Sequence, residues 1–217
     1  MVTLIVSIVS HSMNEVQKRI LVKADEQFRK FGIRSVTMDE IALQSGISKK
    51  TIYQYFKDKN ELVDAVMMTH FNENHDKCKA CCKNSVNAID EIFMLMKSIG
   101  EDFRTINPII LLEMKKFHNK TFEKFQTHLD ENITQMVLQN LERGIKEGLY
   151  RKNLDKEIIA RFRMASIWML FDQHIFPYPK FELSKVFTEI LRLFLYGLVS
   201  PKGYELIEKY QIINTKK

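Results

Sequence analysis

Glycine and proline are nearly absent from this chain. Only 7 glycines and 4 prolines punctuate 217 residues, and long stretches contain neither. Sheet proteins need frequent turn chemistry, so such stretches point to helices. The apolar residues repeat accordingly. From Asn14 onward Val16, Ile20, Ala24, Phe28 and Phe31 form one stripe at helical spacing, ending at Gly32. Thr37, with Glu40 three residues later, reads as a capping box before Met38, Ile41 and Ala42. Ser48 reads as the cap of a third helix bearing Ile52 and Phe56, and a long helix is expected from about Glu61 to Cys82. Further periodic stretches fall near 88–103, 108–117, 121–146, 156–175 and 184–199, with a short helix expected over 203–210. The expected architecture is all-α, with about nine or ten helices. With 45% hydrophobic residues, the chain can bury a sizeable core and is not disordered as a whole.

Charge is uneven. The net +6 is mild, but between Gly46 and Lys59 four lysines (49, 50, 57 and 59) face a single acid, Asp58. A local basic face suits a polyanion. The three cysteines crowd into residues 78–82, which fits a reducing cytoplasm better than a disulfide framework. No apolar run reaches the roughly 18–20 residues needed to cross a bilayer, so no membrane partner is expected. The opening MVTLIVSIVSHS lacks a basic leader region. Residues 1–13 are read as an N-terminal extension, with a small arm that packs on the fold or touches DNA as the alternative.

A helix-turn-helix requires two short helices, a tight turn and a second helix that exposes polar residues. Residues 35–59 meet this. Ile41, Ala42, Ile47, Ile52 and Phe56 supply a buried side, Gly46 the turn, and Lys49, Lys50, Thr51, Tyr53, Gln54 and Tyr55 an outward one. On hydrogen-bond geometry Gln54 suits adenine and Lys50 suits guanine.

Ser35, Val36, Thr37, Met38, Glu40, Ile41, Ala42, Gly46, Ile47, Ser48, Lys49, Thr51, Tyr53, Tyr55, Phe56, Lys59, Glu61 and Leu62 together resemble the signature of the TetR family of transcriptional regulators. The resemblance covers roughly residues 15–65. It implies an N-terminal DNA-binding domain of three helices over residues 14–60 and a helical effector-binding and dimerisation domain over 61–217. It also implies site roles: Thr37, Tyr55 and Lys59 on phosphates, Ser48 at the start of the recognition helix, and Lys49, Lys50, Thr51, Tyr53 and Gln54 in the major groove. The partners implied are a palindromic double-stranded DNA operator, a second copy of the chain and a small apolar or amphipathic effector, with no cofactor. Release from DNA on effector binding would make the protein a homodimeric repressor.

The remaining two-thirds are legible by region only. Residues 186–199 are apolar on more than one face, so Ile167, Phe171, Leu191, Phe194 and Leu198 are expected at a dimer interface. Phe103, Met114, Phe117, Phe125, Trp168, Phe171 and His174 are candidates for an effector pocket, since soft and aromatic side chains suit an adaptable cavity, although such residues also build ordinary cores. His75, Cys78, Cys81 and Cys82 share helical faces and form a weak metal or thiol-sensing candidate against an expectation of no metal. A thiol redox enzyme is a further alternative, but no βαβ pattern surrounds the CxxC. No zinc-protease motif or phosphate-binding glycine loop is present either. The chain is not expected to be an enzyme.

Overall fold

The computed structural model describes residues 14–215, and the expected extension at residues 1–13 lies outside them. The described chain is all-α: α1 (Glu15–Phe31), α2 (Met38–Gln44), α3 (Lys49–Tyr55), α4 (Lys59–Asn84), α5 (Ala88–Thr105), α6 (Ile109–Phe117), α7 (Asn119–His128), α8 (Thr134–Lys146), α9 (Lys156–Met169), α10 (Leu183–Leu198) and α11 (Pro201–Thr215). A π turn over Leu129–Ile133 joins α7 to α8, so the stretch expected as one helix over 121–146 is two helices with a wide turn between them. α9 stops at Met169, short of the expected 175. Beyond it the Asp172 carboxylate accepts a hydrogen bond from the His174 backbone N–H at 2.8 Å, a local turn that competes with further helix.

Two compact units result, dividing within α4, after the end of α5 and again within α7. The first comprises residues up to Glu73 together with Ile106–Phe125, and the second Asn74–Thr105 with Gln126 onward. The first unit therefore extends past the boundary expected at residue 60. Its core holds Ile20, Ala24 and Phe28 of α1, Ile41 and Ala42 of α2, Ile52 of α3, Leu62, Val66 and Phe71 of α4, and Ile110 and Met114 of α6. A helix-turn-helix of two seven-residue helices buries too little surface to stand alone. Here the start of α4 and the inner side of α6 complete the core.

In the second unit α10 packs along α5, and α9 along α8. The start of α5 is tied to α8 by buried polar groups. The Tyr150 hydroxyl donates to Asn140 Oδ1 at 2.9 Å, and Asn140 Nδ2 donates to the Ala88 carbonyl at 3.0 Å. Arg143 spans Glu147 at 2.8 Å and the Ser85 hydroxyl at 2.7 Å. Gly144 is required beneath Tyr150, because a Cβ there would come within 2.1 Å of the ring. No helix among the described residues is long and apolar enough to cross a membrane.

Candidate nucleic-acid interface

The site is built from its caps upward. Thr37 accepts a hydrogen bond from the Glu40 backbone N–H at 3.2 Å, and the Glu40 carboxylate accepts from the Thr37 N–H at 2.7 Å. These two bonds complete the capping box at the start of α2. Thr37 and its backbone donor hold the Glu40 carboxyl below its usual range. The chain then turns through Gly46, whose φ of 63° is one that side-chain-bearing residues rarely adopt. Ser48 caps α3, accepting from the Thr51 N–H at 3.1 Å while its hydroxyl meets the Thr51 hydroxyl at 2.8 Å. Ile52 is fully buried and anchors α3 by its inner side.

With Ile52 inward, the period of 3.6 residues turns Lys49, Lys50, Tyr53 and Gln54 to solvent. All four were expected there. Thr51 and Tyr55 are half-buried flanks, and the Tyr55 hydroxyl accepts a hydrogen bond from Asn14 Nδ2 at 3.0 Å, which ties α3 to the cap of α1. Lys49 pairs with Asp39 at 2.9 Å on the open surface, and that partner raises its pKa. An exposed pair of this kind is weak, so a phosphate can displace the carboxylate.

Lys59 stands differently. Its ammonium donates to the backbone carbonyls of Arg34 and Val36, and burial lowers its pKa. Sequence reasoning missed its counterpart, Glu113 of α6. One Glu113 carboxylate oxygen accepts from the N–H groups of Ile33 at 2.6 Å and Arg34 at 3.0 Å. The connection between α1 and α2 is thus gripped by a carboxylate on its N–H groups and an ammonium on its carbonyls. The one signal in the sequence is an acid set between Leu112 and Met114 within an apolar stretch, which identifies no partner. A second inward polar cluster joins α1 to α4. Arg29 reaches Asp25 at 3.0 Å, and His70 Nε2 meets the same carboxylate oxygen.

The family model for bacterial regulatory proteins of the tetR family matches residues 20–66. The chain is 30% identical over 172 residues to the HTH-type transcriptional regulator YhgD of Bacillus subtilis, covering 72% of this chain and 83% of that protein. The chain belongs to the TetR family. It is also 22% identical to the HTH-type transcriptional repressor KstR2 of Rhodococcus jostii over 80% of this chain and 86% of that one. Among solved structures, SCO4454, a TetR-family transcriptional regulator from Streptomyces coelicolor, superposes with a TM-score of 0.66 at 17% identity, covering 86% and 97% of the two chains. As a TetR-family member the protein is a DNA-binding transcriptional regulator, and its relatives are regulators rather than enzymes.

The structure departs from the sequence-based expectations for the second unit in two respects. Leu191, Phe194 and Leu198, expected at a dimer interface, are 2%, 6% and 1% exposed within the single chain. They pack inward and leave almost no surface for a second copy. Ile167 and Phe171 are half-buried. The outward apolar row is instead Ile158 and Phe162 on α9 and Leu193 on α10, exposed by 64%, 59% and 72%. The seven pocket candidates do not gather in one unit. Met114 is buried in the core of the first unit, Phe125 stacks on Phe71 at 4.5 Å, and the exposed Phe117 lies under Arg34. Phe103, Trp168, Phe171 and His174 belong to the second unit. There Phe103 meets Phe171 and Phe187 edge-on at 5.9 and 5.1 Å, while His174 is exposed.

The cysteine cluster offers no support for a thiol or metal sensor. Burial pushes the Cys78 thiol up to about 12, and the thiols of Cys81 and Cys82 are raised by burial too. All three are free and held as protonated thiols. Among the described residues no group of three His, Cys, Asp or Glu is arranged to hold a metal ion.

Proposed function

We propose that the protein is a homodimeric repressor that grips a palindromic operator with two copies of α3 and releases it when a small effector binds the second unit. The observation that carries this reading is the outward face of α3. Two lysines, a tyrosine and a glutamine stand together on a helix whose cap and inner side are fixed. Lys50 and Gln54 read base edges, as their hydrogen-bonding groups match guanine and adenine. Lys49, Thr51, Tyr53 and the α3 N-terminus capped by Ser48 hold phosphates, where the helix dipole and free N–H groups favour an anion. Thr37 acts by holding the start of α2 in place, since Glu40 takes both its backbone N–H and its hydroxyl. Tyr55 and Lys59 act mainly by positioning, Tyr55 through Asn14 and Lys59 through the carbonyls it holds.

Dimerisation is supported by the outward row on α9 and α10. Ile158 and Phe162 lie one turn apart on one helix, Leu193 lies on the other, and these helices pack together. Exposed side chains of this size, gathered on neighbouring helices, favour a partner surface. Two-fold pairing would set twin α3 helices against half-sites about 34–36 Å apart. The effector would act by differential affinity, favouring a conformation that fits the operator less well. Such a regulator works in the cytoplasm, on its own promoter among others. The sign of regulation follows the repressor among its relatives.

Genome-wide footprinting with the purified protein tests this reading. The expected result is a short list of palindromic sites whose affinity falls steeply with salt and far exceeds that for random DNA. Uniform binding to all sequences would overturn it.

A further inference from the structure

Among the described residues of the second unit, one buried positive charge has no negative partner. Arg163, on the inner side of α9, is 7% exposed. Its Nη1 donates to the Ser166 hydroxyl at 2.9 Å, and that hydroxyl in turn donates to the Arg163 carbonyl at 2.7 Å. Its guanidinium lies 5.6 Å from the centre of the Phe194 ring. A guanidinium carries five N–H donors in a fork that matches a carboxylate, and one hydroxyl with one aromatic face satisfies little of that capacity. The acids of the second unit that turn inward serve other cations: Glu91 faces Arg143 at 3.5 Å and Asp102 takes Lys77 at 2.5 Å. Cys78, the ionisable group that bears on Arg163, is held as a neutral thiol. Burial draws the arginine down to about 10, so it stays charged at neutral pH.

A buried charge left unpaired is expensive. Removing it would be easy, since a methionine fills similar space. The surroundings continue in an amphipathic pattern. Ile167 follows Arg163 by four residues, which places the two on one stripe of α9, and Phe171 lies in the turn after the helix. Phe171 in turn meets the aromatic group of Phe103 and Phe187. A single cation heads an apolar row.

On the reading that the second unit is the effector domain, we propose that its ligand is an organic carboxylate with an apolar body. The carboxylate pairs with Arg163, and the body runs over Ile167 toward Phe171 and Phe103. One guanidinium suits a singly charged planar head, whereas a phosphate dianion needs more donors than stand here.

The test uses the full chain and three kinds of probe: straight-chain alkanoates from hexanoate to hexadecanoate, the matching primary alcohols, and decyl phosphate. Calorimetric titration should show at least one alkanoate binding roughly ten- to a hundredfold more tightly than its alcohol, the difference that a charge-assisted hydrogen bond makes. R163M should abolish that preference while melting no lower than the parent, because it removes an unpaired buried charge. R163K guards against misfolding: it keeps the charge, loses the fork, and should retain a reduced preference. Equal binding of acids and alcohols, no binding across the series, tighter binding of decyl phosphate, or an alkanoate preference that survives in R163M would each overturn the proposal. Operator release is read separately. Alkanoate binding that leaves DNA affinity unchanged would sustain the Arg163 site and overturn the effector-release reading instead.

Discussion

α3 and α10 pose the same question, which side faces out, and the two sequences answer it with different clarity. On α3 the apolar Ile52 stands among lysines, tyrosines and a glutamine, so one orientation alone keeps the charges wet and the isoleucine dry. On α10 leucines and phenylalanines occur all round: Leu191 and Leu195 are buried while Leu193 between them is 72% exposed. A helix with apolar residues on several faces gains from burial in more than one orientation, and only its neighbours decide. α5 packs on the side bearing Phe187, and Phe194 turns to Arg163 of α9. Leu193 is left for whatever covers the outer side.

Substitutions on α10 test this difference most severely. Leu191→Ala should destabilise the protein by about 2–5 kcal/mol through the cavity it leaves, seen as an earlier urea midpoint. Leu193→Glu should scarcely change the stability of the isolated chain, since surface changes usually stay within about 0.5 kcal/mol. It should instead shift the mass measured by light scattering from dimer to monomer and weaken operator binding. If Leu191→Ala dissociated a dimer without loss of stability, the inward orientation of that face would be wrong.

An inward polar cluster gives the next effect. Burial raises the Asp25 carboxyl, but hydrogen bonds and charge from His70 and Arg29 outweigh it and hold the pKa below its ordinary value. A carboxyl depressed in the folded state contributes stability that is fully present above the unfolded pKa, about 3.9. That contribution is lost as pH falls through the folded value. Asp25→Asn should therefore lower stability at pH 7 by about 1–3 kcal/mol. It should also flatten the fall in melting temperature between pH 5 and acid. A parallel fall in both proteins would remove the cluster from the account.

On α3 itself the effects move from folding to recognition. Gln54→Ala should cost about 1–3 kcal/mol at one operator position and little elsewhere, read from a panel of single-base variants. Lys59→Met should weaken all operator variants alike. Because its ammonium holds loop carbonyls, it should also lower thermal stability, which loss of a phosphate contact alone would not do. A Lys59→Met protein with parental melting and a reduced salt dependence would return Lys59 to the phosphate backbone.

Legibility in the sequence followed the same division. The caps at Thr37 and Ser48, the turn at Gly46 and the outward Lys49, Lys50, Tyr53 and Gln54 were readable because local chemistry fixes each within a few residues. Glu113 was not, because its partners Ile33 and Arg34 lie about eighty positions away and any acid on a helix looks like a solvated one. Arg163 was hidden for the same reason. The sequence places it between Arg161 and Met164 on a helix with charges nearby, and only the packing of Phe194 over it reveals that it is buried. The end of α9 at Met169 was missed because Asp172 competes for backbone donors through a side chain that periodicity does not weigh.

The smallest expected effect is also the most local. Ser48→Ala removes the acceptor for the Thr51 N–H and leaves a donor at the start of α3 unpaired except by water. Such a loss typically costs about 1 kcal/mol. In this protein it should fall unevenly, because α3 has only seven residues and its cap is a large fraction of what keeps it helical. Hydrogen exchange should quicken across Lys49–Gln54 while protection in α1 and α4 stays near the parental level. Operator affinity should fall by more than the stability change implies, since the same N-terminus is proposed to hold a phosphate. Ser48→Asp separates the two contributions: the carboxylate restores the cap but repels the phosphate. Stability should recover while DNA binding does not, and recovery of both would show that Ser48 serves the helix alone.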